Sequence, residues 1–137
     1  MLHNVSMFYA GLLGLLFIAL SLRVVRLRRS LKVGLGSGGH EALNRAMRAH
    51  GNFAEYVPLA LLLLLLAEAG TALPAWGVHL LGLTLLLGRF LHGFLGVNRR
   101  PGYSFGRFWG TLLTWLVIAA CGLMLVATSL GRWLIQA

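Results

Sequence analysis

The sequence predicts an all-α integral membrane protein, a single four-helix bundle spanning residues 1–137, on three observations. Hydrophobic residues make up 58% of the chain and charged residues only 11%, a balance outside the range of ordinary soluble domains. Four apolar runs are each long enough to cross a hydrocarbon core of about 30 Å. The basic residues behind the net charge of +9 flank or enter those runs. They form no solvated, aromatic-interleaved surface, so the positive-inside rule accounts for them better than nucleic acid does.

Helix 1 is expected from Met1 to Leu22, a stretch free of Lys, Arg, Asp and Glu. Arg23, Arg26, Arg28, Arg29 and Lys32 follow the apolar run instead of preceding it. That polarity is opposite to a cleaved signal peptide and indicates a retained anchor. The next segment, GLGSGG from Gly34 to Gly39, matches G-x-G-x-x-G literally. No buried strand precedes it and no acidic residue follows at dinucleotide-binding spacing, so it reads as a flexible linker.

Helix 2 is expected from about His40 to Gly70, roughly 45 Å at 1.5 Å per residue, so its first turns project from the membrane. At 100° per residue, Glu41, Arg45, Arg48, Asn52 and Glu55 fall on one stripe with Tyr56 at its edge, and His50 points away. Each ionised side chain carried into the bilayer costs roughly 2.5 to 3.5 kcal/mol, an expense that usually marks function. Pro58 cannot donate to the carbonyl of Ala54, which predicts a loosened turn beside Glu55 and Tyr56. Gly70, Pro74 and Gly77 then mark a short external turn.

Helix 3 is expected from about Ala75 to Val97. Near its end Arg89, His92, Gly93 and Gly96 recur at three- and four-residue intervals, joining a cation, an imidazole and small residues for close helix approach. A helix–helix hydrogen bond and ligand contact stay equally open for His92. Asn98 to Tyr103 form a basic turn, and helix 4 begins near Phe105 with Arg107 in its first turn. All Lys and Arg except Arg132 cluster with the loops after helices 1 and 3. Those loops are therefore expected in the cytoplasm and both termini outside.

The single cysteine, Cys121, rules out an intramolecular disulfide and a cysteine metal set. His3, His40 and His79 show no metal-ligand spacing, and no Ser-His-Asp set is present. What remains is a cationic cluster of Arg45, Arg48, Asn52, Glu55, Tyr56, Arg89 and Arg107 near the basic end. It suits an anionic ligand that also carries an amine, because Arg pairs with carboxylates, Glu with ammonium, and Asn and Tyr orient amides.

The stretch RAMRAHGNFAEYVPLAL, from Arg45 to Leu61, resembles the signature of the MAPEG superfamily, the membrane-associated proteins in eicosanoid and glutathione metabolism. RVVRLRRSLKV at the end of helix 1, GRFLH from Gly88 and RFWGTLLTW from Arg107 extend the resemblance over nearly the whole chain, in the short form of the bacterial members. The resemblance implies a four-helix bundle assembled as a homotrimer in the bacterial inner membrane. It also implies a glutathione site between neighbouring subunits at the cytoplasmic side, contacted by Arg48, Asn52, Glu55 and Tyr56. Arg28 and Arg89 match binding arginines on helices 1 and 3. His92 and Gly96 stand where several family enzymes have tyrosines. The thiolate-stabilising residue is one of Arg100, Tyr103 and Arg107, with Arg107 preferred.

The leading expectation is thus a microsomal-type glutathione transferase joining the glutathione thiolate to hydrophobic electrophiles dissolved in the bilayer. The alternative is a non-catalytic scaffold or lipid-binding protein that keeps the fold and uses the stripes for packing. A transporter is disfavoured, because four short helices carry no inverted repeat.

Overall fold

The computed structural model describes residues 4–97 and 104–136. Expectations that fall on Met1, His3, the turn from Asn98 to Tyr103 and Ala137 lie outside those residues. Among the described residues the chain is all helix and loop: α1 Asn4–Leu31, α2 Glu41–Gly70, α3 Ala75–Phe90 running on into a π-helical segment Leu91–Val97, and α4 Phe105–Gln136. Among the described residues four helices are long and apolar enough to cross a membrane. The four-helix membrane bundle expected from the sequence is the fold observed.

The helices run antiparallel in chain order, which puts two chemically different ends on the bundle. At one end the basic stretch of α1, the start of α2, the π segment and the start of α4 come together. Leu20 packs beside Gly93 there, and Gly96 lies against Gly106 and Arg107. The opposite end holds Glu68, His79 and Arg132, and Arg132 Nη2 donates to the Gly70 carbonyl at 2.6 Å.

Burial follows helical periodicity closely. On α2 the buried positions are Leu43, Ala46, Ala49, Phe53, Val57, Ala60, Leu64 and Ala67, a seam repeating every three to four residues. The outside is as apolar as the inside: Leu15 is 71% exposed, Trp115 53% and Leu123 72%. A bundle solvated by lipid gains nothing from hiding such residues, so close packing and internal hydrogen bonds must hold its helices together. The small residues on the seams, Gly88 and Gly96 on one side and Gly106 and Gly110 on the other, do this where α3 and its π extension cross α4. A methyl group on Gly106 would lie 2.7 Å from the Gly96 nitrogen and 2.7 Å from the Leu91 carbonyl oxygen, both of them backbone. Gly82 plays a similar part where the Tyr9 ring of α1 packs against α3.

Two features depart from the sequence-based expectation, the end of α1 and the end of α3. Helix α1 continues through the arginines to Leu31, because an Arg-rich run is a good helix former and can project beyond the apolar core. Its end is closed by Lys32 at φ 55°, with Lys32 N–H donating to Arg29 and Val33 N–H to Arg28 at 3.0 Å, a Schellman arrangement with lysine in the left-handed position. Helix α2 passes through Pro58 as one element from Glu41 to Gly70, as the sequence reading expects. The end of α3 widens to π geometry from Leu91, where His92, Gly93 and Gly96 are buried against α1 and α4.

Candidate functional site

The α2 seam divides the polar residues of that helix between two flanks. His50, on the flank toward α1, stacks on Phe17 with ring centroids 4.5 Å apart and takes no part in the polar stripe. Asn52 and Tyr56, on the other flank, are half-buried toward α3, while Arg48 and Glu55 are exposed beside them. Arg45 forms an ion pair with Glu41 one turn earlier at 2.8 Å. A pair of this kind, partly exposed and four residues apart, adds only about 0.3 to 0.5 kcal/mol.

Beneath this flank lies Arg89, which is 2% exposed. Its Nη1 donates to Asn52 Oδ1 at 2.9 Å and its Nη2 to the Gly110 carbonyl at 2.9 Å, and its guanidinium carbon sits 5.8 Å from the centroid of the Tyr56 ring. Gly110 can receive this cation because α4 has no side chain there; a methyl group would lie 2.6 Å from the Gly88 carbonyl oxygen and 2.6 Å from His92 Cβ. Thr114 Oγ1 donates to the same carbonyl at 2.9 Å. Arg89 therefore ties α2, α3 and α4 together. Its burial is offset by two hydrogen bonds of the charged class, each worth roughly 1.5 to 3 kcal/mol, and by the tyrosine face. His92 is 6% exposed, one turn beyond Arg89, with its backbone against Gly110.

The structure brings Arg89, Asn52 and Tyr56 into one cluster with Arg48 and Glu55 on its outer rim. Arg28 faces the loop after α1, and Arg107 packs beside Gly96 of the π segment. Arg28 Nη1 donates to the Gly34 carbonyl at 3.2 Å and the Gly36 carbonyl at 3.1 Å, and Nη2 reaches Met47 Sδ at 3.5 Å. The side chain thereby ties the glycine loop to the start of α2. Arg107 is exposed in the first turn of α4, at the mouth of an open groove of about 440 Å3. Phe108, Thr111, Leu112 and Trp115 line this groove with Ser104 and Arg107. Arg100 and Tyr103, the other candidates for the thiolate-stabilising position, fall outside the described residues.

Two functional contacts escape sequence reasoning. One is the Gly110 carbonyl as acceptor for Arg89; the Gly106–Gly110 pair, at GxxxG spacing, was the legible signal of a close crossing, but not of the hydrogen bond it permits. The other is Glu68, whose carboxylate accepts from the backbone N–H groups of Val5 at 3.3 Å and Ser6 at 3.0 Å. It satisfies first-turn donors of α1 that have no partner within their own helix. Among the described residues no group of three or more His, Cys, Asp or Glu side chains is arranged to hold a metal ion.

Comparison with known proteins agrees with this architecture. A sequence model of the MAPEG family matches residues 6–127. The chain is also similar to the inner membrane protein YecN of Escherichia coli K12, 44% identical over 96 residues that cover 70% of this chain and 72% of the relative. YecN of Escherichia coli O6:H1 matches to the same extent. A family match that begins in the first turns of α1 and ends within α4 takes in all four helices and the Arg89 cluster between them, and it makes the chain a member of the MAPEG family.

Proposed function

We propose that this protein is a glutathione transferase of the bacterial inner membrane, working as a homotrimer on hydrophobic electrophiles, with the basic end of the bundle in the cytoplasm. The observation that carries the reading is the outward rim of the α2 stripe. Arg48 and Glu55 are exposed, and among the described residues neither makes a hydrogen bond or ion pair. They stand seven residues apart on one helix, roughly 10 Å along its axis. A tripeptide-sized ligand extends over about the same distance. Glutathione carries an ammonium group toward one end and a carboxylate at the other, as Glu55 and Arg48 require, with amides between for Asn52 and Tyr56. A second subunit laid over this rim would close the site, in keeping with the trimer that the family resemblance implies. The inner-membrane location is supported by similarity to YecN and by four apolar helices.

The chemistry asked of the protein is modest. A thiol with a pKa near 8.5 is only a few per cent thiolate at neutral pH. A nearby guanidinium favours the anion, and each unit of depression is worth about 1.36 kcal/mol. Arg107 takes this role, with the thiol proton passing to water. The thiolate sulfur then forms a bond to the electrophilic carbon of a substrate seated in the groove along Phe108, Leu112 and Trp115. The leaving group departs with the bonding electron pair.

The scaffold reading draws on Arg28 and Arg89, whose hydrogen bonds hold the glycine loop and tie α2, α3 and α4 together. The two readings separate on thiolate absorbance in the ultraviolet. Bound glutathione should show a thiolate band at neutral pH that Arg107→Leu shifts to more basic pH while binding persists. A band unaffected by that substitution removes Arg107 from the mechanism, and the absence of any band at pH 7 favours the scaffold.

A further inference from the structure

The basic residues at the end of α1 divide by the tasks open to them. Arg28 folds inward onto the loop carbonyls of Gly34 and Gly36. Arg28 and Arg29 occupy the last turn, where carbonyls without helical partners favour a cation. Arg23 and Arg26 stand before that turn, so neither loop bracing nor the helix end explains them. Both are exposed, and among the described residues neither makes a hydrogen bond or ion pair. No Asp or Glu precedes Glu41 in the chain, so α1 carries no counter-charge for them.

Their depth and direction follow from the helix. Phe8, Leu15, Ile18 and Leu22 form an exposed apolar stripe. Arg26, four residues beyond Leu22, continues that stripe, and Arg23 lies at its edge about one turn earlier. Exposed apolar residues on α1 run from Met7 to Val25, about 27 Å at 1.5 Å per residue. That length nearly matches a hydrocarbon core of about 30 Å. Arg26 therefore stands where the hydrocarbon ends, and the long side chain of Arg23 reaches the same level. Lipid phosphates occupy that level. Arg29 stands roughly 5 Å farther out, with Lys32 beyond it.

We infer that Arg23 and Arg26 form a headgroup site for an anionic phospholipid in the leaflet at the basic end of the bundle, with acyl chains lying along Leu15, Ile18 and Leu22. A guanidinium pairs with two phosphate oxygens through parallel N–H donors. Adjacent cations favour a headgroup of net negative charge over a zwitterionic one, whose ammonium they repel. A second copy of the chain suits this face less well. Copies inserted in the same direction set their basic ends side by side, and of the acids at that end Glu41 already pairs with Arg45 while Glu55 lies on α2. The site is separate from the α2 rim and does not depend on glutathione.

The test is a thermal titration of the full chain in nonionic detergent with short-chain phosphatidylglycerol, short-chain phosphatidylcholine or inorganic phosphate. A basic side chain at an anionic membrane surface contributes roughly fivefold in affinity. Phosphatidylglycerol should raise the wild-type midpoint, and Arg23→Gln/Arg26→Gln should need about twenty-five times more of it for the same rise. Arg29→Gln/Lys32→Gln removes the same charge farther out and should change that concentration far less. Equal losses in the two double variants would show a diffuse charge field in place of a site and overturn the inference. No rise of the wild type with phosphatidylglycerol overturns it as well. An equal rise with phosphatidylcholine removes the requirement for negative charge, and an equal rise with inorganic phosphate removes the lipid; either result is contrary to the inference. If lipid-free Arg23→Gln/Arg26→Gln sediments as a smaller particle than the wild type, the face is a subunit contact and the inference is wrong.

Discussion

The crossing of α3 and α4 offers the sharpest test of the architecture, through Gly110→Ala. The added methyl group would sit 2.6 Å from the Gly88 carbonyl oxygen, 2.6 Å from His92 Cβ and 2.7 Å from the His92 nitrogen. Two of those three neighbours are backbone and the third is a Cβ, so no side-chain rotation relieves the clash. The helices must separate by most of an ångström to restore ordinary contact. That movement stretches the 2.9 Å hydrogen bond from Arg89 to the Gly110 carbonyl. Overpacking costs about 1 to 3 kcal/mol, and a charge-assisted hydrogen bond about 1.5 to 3 kcal/mol. The expected loss is roughly 3 to 5 kcal/mol, against a gain of up to about 1 kcal/mol from helix propensity. Gly122→Ala supplies the control, since a methyl group there meets nothing within 4 Å. Thermal unfolding in detergent should place Gly110→Ala far below the wild type and Gly122→Ala at or slightly above it. Equal midpoints for the two variants would refute the described crossing.

Glu68→Ala should leave the first turn of α1 without its acceptor, costing about 1 to 2 kcal/mol as for lost helix caps, and hydrogen exchange at Val5 and Ser6 should accelerate before the rest of the helix. Unchanged protection at those amides would remove Glu68 from this role. In a Cys121→Ser background, single cysteines placed at Ser37 and Ala72, in loops at opposite ends of the bundle, should react from opposite sides of the membrane, Ser37→Cys from the cytoplasm. Labelling of both from one side would contradict the antiparallel arrangement, and the reverse sidedness would contradict the cytoplasmic placement of the basic end.

Much of this bundle could be read from residue pattern because lipid imposes so few solutions. Apolar length gave the four helices, and glycine and proline gave the turn before Ala75. The one boundary misjudged, at Leu22 instead of Leu31, came from equating the helix with its apolar part; arginines end a membrane span without ending a helix. Periodicity also placed Asn52 and Tyr56 on the flank away from His50, where they are found. It could not say which flank met which neighbour, and so could not name what Arg89 reaches. That question depends on a carbonyl of α4 at Gly110, a backbone atom with no signature in sequence. Glu68 was visible only as the charge that ends the apolar run, because its partners are backbone amides more than sixty residues away.

The central claim is that the rim of α2 holds glutathione in the native protein. The most direct measurement is the thermal midpoint of the detergent-solubilised protein with and without millimolar glutathione, taken side by side for the wild type and Arg48→Leu. A ligand present at a hundred times its dissociation constant stabilises the native state by about 2.7 kcal/mol. The account predicts a rise of several degrees for the wild type and none for Arg48→Leu, with the two ligand-free midpoints close together because Arg48 is exposed. No rise in the wild type, or the same rise in both proteins, would contradict it.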